Sequence, residues 1–123
     1  MKPEPMNIAV SVSKHYLPYT YVMLHSLLKN NACPINVYIL HRELCSDDFD
    51  FLRTLTHTHP LVINDCRLSE DQIPHSADGS AAPAAPESLF YLSIPHILPA
   101  DLPRILYLDS DVIVNVSLSA LYA

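Results

Sequence analysis

Apolar and polar positions follow a recurring order along the chain. Asn7–Ser13 alternates through Ile8, Val10 and Val12 and predicts a short first strand, with small hydroxyl residues at its C-terminal end. Pro18 suits the first turn of a helix. Tyr21, Leu24, Leu27 and Leu28 then recur at helical spacing, so that helix is expected to run to about Asn31, with Asn30-Asn31 as its stop. Ile35–His41 predicts the second strand. Ser46 is expected to cap a second helix whose first turn holds Asp47 and Asp48, where carboxylates meet the positive end of the dipole. Its apolar face is Phe49, Leu52 and Leu55, and it ends near His57-Thr58-His59-Pro60. The H-x-H pair there reads as imidazoles facing solvent and the helix's carbonyl end rather than as a metal site. Leu61–Asp65 is the third expected strand.

Residues 66–86, rich in Ser, Ala, Pro and Asp, read as a long loop with a short turn at Asp71-Gln72-Ile73. A loop of that length inside one domain is either functional or mobile. Glu87–Ile94 predicts a short helix stopped by Pro95, and His96–Pro103 a proline-punctuated connection. Arg104 opens the expected central strand, a run that reaches Asn115. A last segment, Asn115–Tyr122, places Leu118 and Leu121 on one side. Strands alternating with helices predict an α/β fold in one domain over 1–123, a mostly parallel sheet flanked by helices. Ligands of such sheets bind beyond the C-terminal strand ends. Ser11–Ser13 and Asp109–Asp111 lie at two such ends and could face one crevice.

Within Arg104–Asn115 the residues flanking the acidic pair are mostly branched or aromatic, the composition of a strand buried on both faces. Two aspartates interrupt that run. On an extended backbone Asp109 and Asp111 would point the same way, and two like charges in apolar surroundings call for a partner. A divalent cation is one answer; oxygen ligands suit Mg²⁺ or Mn²⁺, and the metal in turn could hold a diphosphate. The other is a pair of turn-forming aspartates bonded to local backbone N–H groups where the strand leaves the sheet.

Composition narrows the classes. Half of the residues are hydrophobic, as a globular fold requires. The formal charge of −6, from 13 acidic and 7 basic residues, leaves no basic stripe and argues against nucleic acid or an anionic membrane as the main partner. The N-terminus carries no apolar signal region and no apolar run is long enough to span a bilayer, so a cytoplasmic protein without a transmembrane segment is expected. Cys33, Cys45 and Cys66, odd in number and widely spaced, read as free thiols. Gly79 is the only glycine, which excludes a glycine-rich phosphate loop. Nucleotide phosphates would have to be held by a metal or by basic side chains.

Several stretches, in order, resemble family 8 glycosyltransferases, the glycogenin-like and bacterial lipopolysaccharide galactosyl- and glucosyltransferase group with a GT-A fold. They are Ile8–Pro18, Leu24–Asn31, Val37–His41, Ile94–Pro99 and Ile105–Val114; the last contains L-Y-L-D-x-D, the most specific of them. The resemblance implies transfer of a hexose from UDP-glucose or UDP-galactose to a glycan or lipopolysaccharide acceptor, with retention and a Mn²⁺ or Mg²⁺ ion on the diphosphate. By position it implies Asp109 and Asp111 as metal ligands and Ser110 beside the ribose. It also implies Ser11 against the uracil through its backbone and Tyr16 stacked on the base. From the residues alone, Tyr16 is placed to cover a planar base or to pack at a helix start.

The chain departs from the family pattern at three places. Ser13 stands where an acidic residue is usual, and its hydroxyl could still bond a base or ribose. Tyr91 stands where an arginine helps hold the donor. Family members also continue past this length with an acceptor-binding half and a further metal-ligand histidine, so an N-terminal donor-binding part is expected, truncated after the D-x-D strand. Two other classes compete. One is a phosphohydrolase of the haloacid dehalogenase type, with Asp109 as nucleophile and Asp111 as acid/base, which should carry lysine and acidic residues downstream. Only twelve residues follow Asp111, and none is Lys, Asp or Glu. The other is a non-catalytic remnant or nucleotide-sugar-binding module.

Overall fold

The structure, a computed structural model, describes residues 5–57, 59–69, 90–92 and 94–122. The described strands are β1 (Met6–Ser11), β2 (Ile35–His41), β3 (Leu61–Arg67) and β4 (Leu106–Leu108). They form one parallel sheet in the order β3-β2-β1-β4. β1 pairs with β2 from Met6↔Ile35 to Ser11↔Leu40, and β4 joins the other flank of β1 from Ile8↔Leu106 to Val10↔Leu108. Strands are thus laid outward from β1 in one direction before the chain returns to its opposite side. That reversal is a topological switch point, where a parallel sheet opens a crevice at its C-terminal strand ends.

Alternation along each strand sorts residues between the faces. Ile8, Val10, Val37, Ile39, Leu106 and Leu108 turn to one side, against Leu24, Leu27 and Leu28 of α1 (Leu17–Asn30) and Phe49 and Leu52 of α2 (Ser46–Arg53). Ala9, Tyr38, Leu40 and Tyr107 turn to the other, against Leu68, Phe90, Leu98 and Ile105. Both faces are covered, as parallel sheets require.

Several boundaries differ from the sequence pattern for local reasons. β1 closes at Ser11 rather than Ser13, and the chain then enters a single 3₁₀ turn, Lys14–Tyr16. Past α1, Asn31 is extended and its Nδ2 donates to Leu27 O at 2.9 Å, satisfying a terminal carbonyl. Cys45, not Ser46, is the N-cap of α2, because the Asp48 carboxylate reaches back to accept the Cys45 N–H at 2.9 Å. β3 runs on to Arg67, since its ladder with β2 continues to His41↔Arg67. Residues 70–89 lie outside the described residues, and with them most of the expected loop and the start of the expected 87–94 helix. The helical turn seen beyond is α3 (Ile94–Ile97), with Pro95 inside it. In a first turn proline removes no helical hydrogen bond, so here it opens the turn and does not stop one.

The largest correction concerns 104–115. The expected strand, buried on both faces through the acidic pair, is only three residues long. β4 lies half-buried at the edge of the described sheet, and Ser110-Asp111 turns away from it. Beyond that turn, polar side chains of α1 and of Asn31 at its C-terminal cap take the place of a neighbouring strand. Val114 N–H donates to Ser26 Oγ at 2.8 Å, Asn30 Nδ2 donates to Val114 O at 2.7 Å, and Leu118 N–H donates to Asn31 Oδ1 at 2.8 Å. The last turn, α4 (Ser119–Tyr122), returns to β1, where the Tyr122 hydroxyl accepts the Asn7 N–H at 3.0 Å and donates to Arg104 O at 3.1 Å. Leu118 packs on the core while Leu121 is exposed, so the two do not share a buried side. Among the described residues no helix is long and apolar enough to cross a membrane, and all three cysteines are free.

Candidate functional site

At the switch point the last β1–β4 pair is Val10↔Leu108. One residue further along each strand stand Ser11 and Asp109. The two stretches expected to share a crevice therefore leave the sheet side by side.

Ser11 is buried, and its Oγ accepts a hydrogen bond from the Tyr107 hydroxyl at 3.1 Å. Parity explains the contact, because Ala9, Ser11 and Tyr107 all turn to the same face. Burial pushes the Tyr107 phenol up from its ordinary value; the Ser11 hydrogen bond works against that, and the Asp109 carboxylate adds to the rise. Tyr91 lies on the far side of Tyr107, ring centroids 5.6 Å apart and tilted, and is 45% exposed. Ser11, Tyr107 and Tyr91 thus form a polar and aromatic wall beside the acidic turn. Tyr107 was legible in the sequence only as a strand residue; its place two positions before Asp109 on one face is the signal that marks it.

Ser13 follows β1 half-buried, and its carbonyl accepts the Tyr16 N–H at 3.0 Å, closing the 3₁₀ turn. Its side chain makes no capping bond to that turn. Tyr16 is 44% exposed and meets His15 and Tyr19 edge-on or tilted, at 5.4 and 5.7 Å between centroids. Its carbonyl accepts the Thr20 hydroxyl, so its backbone is tethered while the residue stays exposed.

Asp109 and Asp111 are both exposed and flank Ser110 in the turn after β4. The desolvation expected of acids inside a buried strand does not arise, because the strand ends before them. Their carboxylates remain a hard, all-oxygen donor set that fits Mg²⁺ or Mn²⁺, ions that complete their coordination with phosphate oxygens and water. Among the described residues no group of three His, Cys, Asp or Glu is gathered closely enough to hold a metal.

Comparison with known proteins identifies the family and the fold. Over residues 7–123 the chain matches the family model described as glycosyl transferase family 8. It is 29% identical over 115 residues to probable galacturonosyltransferase-like 10 of Arabidopsis thaliana, covering 91% of this chain and 32% of that protein. Probable galacturonosyltransferase-like 4 of the same plant is 27% identical over 114 residues, with 90% and 32% covered. The chain therefore spans about a third of the length of these relatives. Among solved structures, the galactosyltransferase LgtC, crystallised with donor and acceptor sugar analogues, superposes with a TM-score of 0.73 at 19% identity. The match covers 94% of this chain and 41% of that one. Mouse xyloside xylosyltransferase 1 superposes with a TM-score of 0.69 at 15% identity, covering 98% and 47%. The parallel sheet with its flanking helices is accordingly a GT-A-like fold. On the family match across nearly its whole length, the chain belongs to glycosyl transferase family 8.

Proposed function

We propose that the chain is the donor-binding part of a retaining hexosyltransferase that uses a UDP-sugar, glucose or galactose, and delivers it to a glycan acceptor such as lipopolysaccharide. The observation that carries the reading is the register. Val10↔Leu108 brings Ser11 and Asp109 out together at the C-terminal side of a switch point, the place where parallel sheets bind nucleotides. On this reading Tyr16 covers the uracil, the Ser11 backbone bonds its edge, and Ser13 and Ser110 reach the ribose. Tyr91, with Tyr107, lines the wall along the diphosphate. Asp109 and Asp111 would hold Mn²⁺ or Mg²⁺, which when bound neutralises charge on the diphosphate leaving group.

The chain's own residues then bind and orient. The part-buried Ser11–Tyr107 pair fixes the spacing of the two strand ends. The exposed Tyr16 ring gives a planar ligand a face, and the acidic turn leaves its carboxylates hydrated until a cation arrives. Carboxylates without a metal would repel a diphosphate, so donor binding should require the ion. Family membership supports glycosyl transfer over the phosphohydrolase reading of Asp109. Isothermal titration of the chain with UDP, with and without Mn²⁺, tests the proposal. Binding only with the ion is expected; absence of UDP binding in its presence sinks it.

A further inference from the structure

Lys14 sits between Ser13 and Tyr16 and is held at both ends by the segment that follows β2. Its backbone N–H donates to Glu43 Oε1 at 3.0 Å, while its ammonium lies 3.5 Å from Asp48 Oδ2 and 3.9 Å from Cys45 Sγ. Glu43 is itself aimed by a closed turn, because Leu44 N–H donates to Nδ1 of His41 at 3.1 Å. With that nitrogen accepting, Nε2 carries the ring hydrogen and donates to Asp65 Oδ1 at 2.5 Å. His41 is wholly buried between these two partners. A chain of hydrogen bonds therefore runs from β3 through His41 and the 41–44 turn to the first residue of the turn that carries Tyr16.

We infer that Glu43 is a positioning residue for donor binding. Through the Lys14 N–H it sets the angle at which the 14–16 turn presents the Tyr16 ring, and His41 serves it by closing the 41–44 turn. The inference rests on the proposed placing of Tyr16 over the nucleotide base. Without Glu43, the turn is left with bonds to its own neighbours, Tyr16 N–H to Ser13 O and Leu17 N–H to Lys14 O. The Glu43 tether orders the aromatic ring before the ligand arrives, which lowers the entropy lost on binding. What matters is an acceptor oxygen on Glu43 and not its charge. Glutamine offers the same oxygen, whereas alanine offers none.

The test titrates the chain, Glu43→Gln and Glu43→Ala with UDP in the presence of Mn²⁺, and follows hydrogen exchange at the Lys14 amide in all three. Glu43→Ala should weaken UDP binding about fivefold and speed Lys14 exchange. Glu43→Gln should stay within about twofold of the parent in affinity and keep the amide protected. Equal weakening in both variants overturns the inference in favour of a long-range effect of the carboxylate charge on the diphosphate or its ion. Faster Lys14 exchange in Glu43→Ala with unchanged affinity overturns it too, and leaves the donor reading standing. A parent chain that binds no UDP removes the donor reading and this inference together.

Discussion

The Tyr107 hydroxyl donates to Ser11 Oγ at 3.1 Å, bolting together the ends of two strands that lie 96 positions apart in the chain. Only three residue pairs join β4 to β1, so this side-chain bond adds substantially to a short ladder. Tyr107→Phe keeps the ring and removes the donor. It should destabilise the fold by about 1 kcal/mol, the worth of a typical net hydrogen bond. Thermal or urea unfolding of the two proteins measures the difference, and an unchanged midpoint would show that the bond is not maintained in solution.

Asp109 and Asp111 are exposed, so changing either to asparagine should leave folding stability nearly untouched. If they hold the cation, each substitution should reduce Mn²⁺-dependent UDP affinity by at least about tenfold. Calorimetry reads the affinity and a melting curve checks the fold. A loss confined to one of the two would single out that carboxylate as the ligand.

Ser26 carries two bonds. Its hydroxyl donates to Met23 O at 2.7 Å and accepts the Val114 N–H at 2.8 Å. Ser26→Ala leaves the N–H of buried Val114 without that acceptor and should cost about 1–2 kcal/mol. The Val114 amide should also exchange faster than in the parent while amides of β2 keep their protection. Equal acceleration everywhere would mean that the effect is global and the tether is not local.

Alkali should weaken the fold through Cys66. Burial first, and the Asp65 carboxylate second, push its thiol up from 9.0 to about 11. The folded state then holds a proton that the unfolded chain has released. The stability tied to this group is whole below pH 9 and is lost as pH rises towards 11. Burial raises the phenols of Tyr38 and Tyr107 in the same sense, so they add to the decline above their ordinary value of 10.0. Urea midpoints between pH 8 and 11 should fall for the parent and fall less steeply for Cys66→Ala. Parallel slopes would remove Cys66 as a cause.

What could be read from the sequence was what repeats locally. The alternation of β1, the apolar run of β2 and the helical spacing of Leu24, Leu27 and Leu28 are properties of neighbouring residues, and the elements appear where expected apart from the end of β1. The 104–115 stretch misled because strand composition there serves two different ends. Leu106 and Leu108 pack in the sheet, whereas Val112 and Val114 pack on the core from a segment that α1 side chains hold by its backbone. Nothing local marks Ser26, Asn30 and Asn31 as partners of residues more than 80 positions away. The same blindness hid Tyr107 and Glu43, each defined by a bond across the fold. The acidic pair itself was legible as a unit, but its exposure depended on where the strand stopped.

α1 has a consequence for how the crevice can move. Its N-terminal turn grows directly out of the Tyr16 turn, and its last two turns grip the stretch that follows Asp111 through Ser26, Asn30 and Asn31. One rod of about 21 Å therefore bears on both banks of the cleft. Any shift of that rod on the sheet would be passed to the Tyr16 turn and to the stretch after Asp111 together.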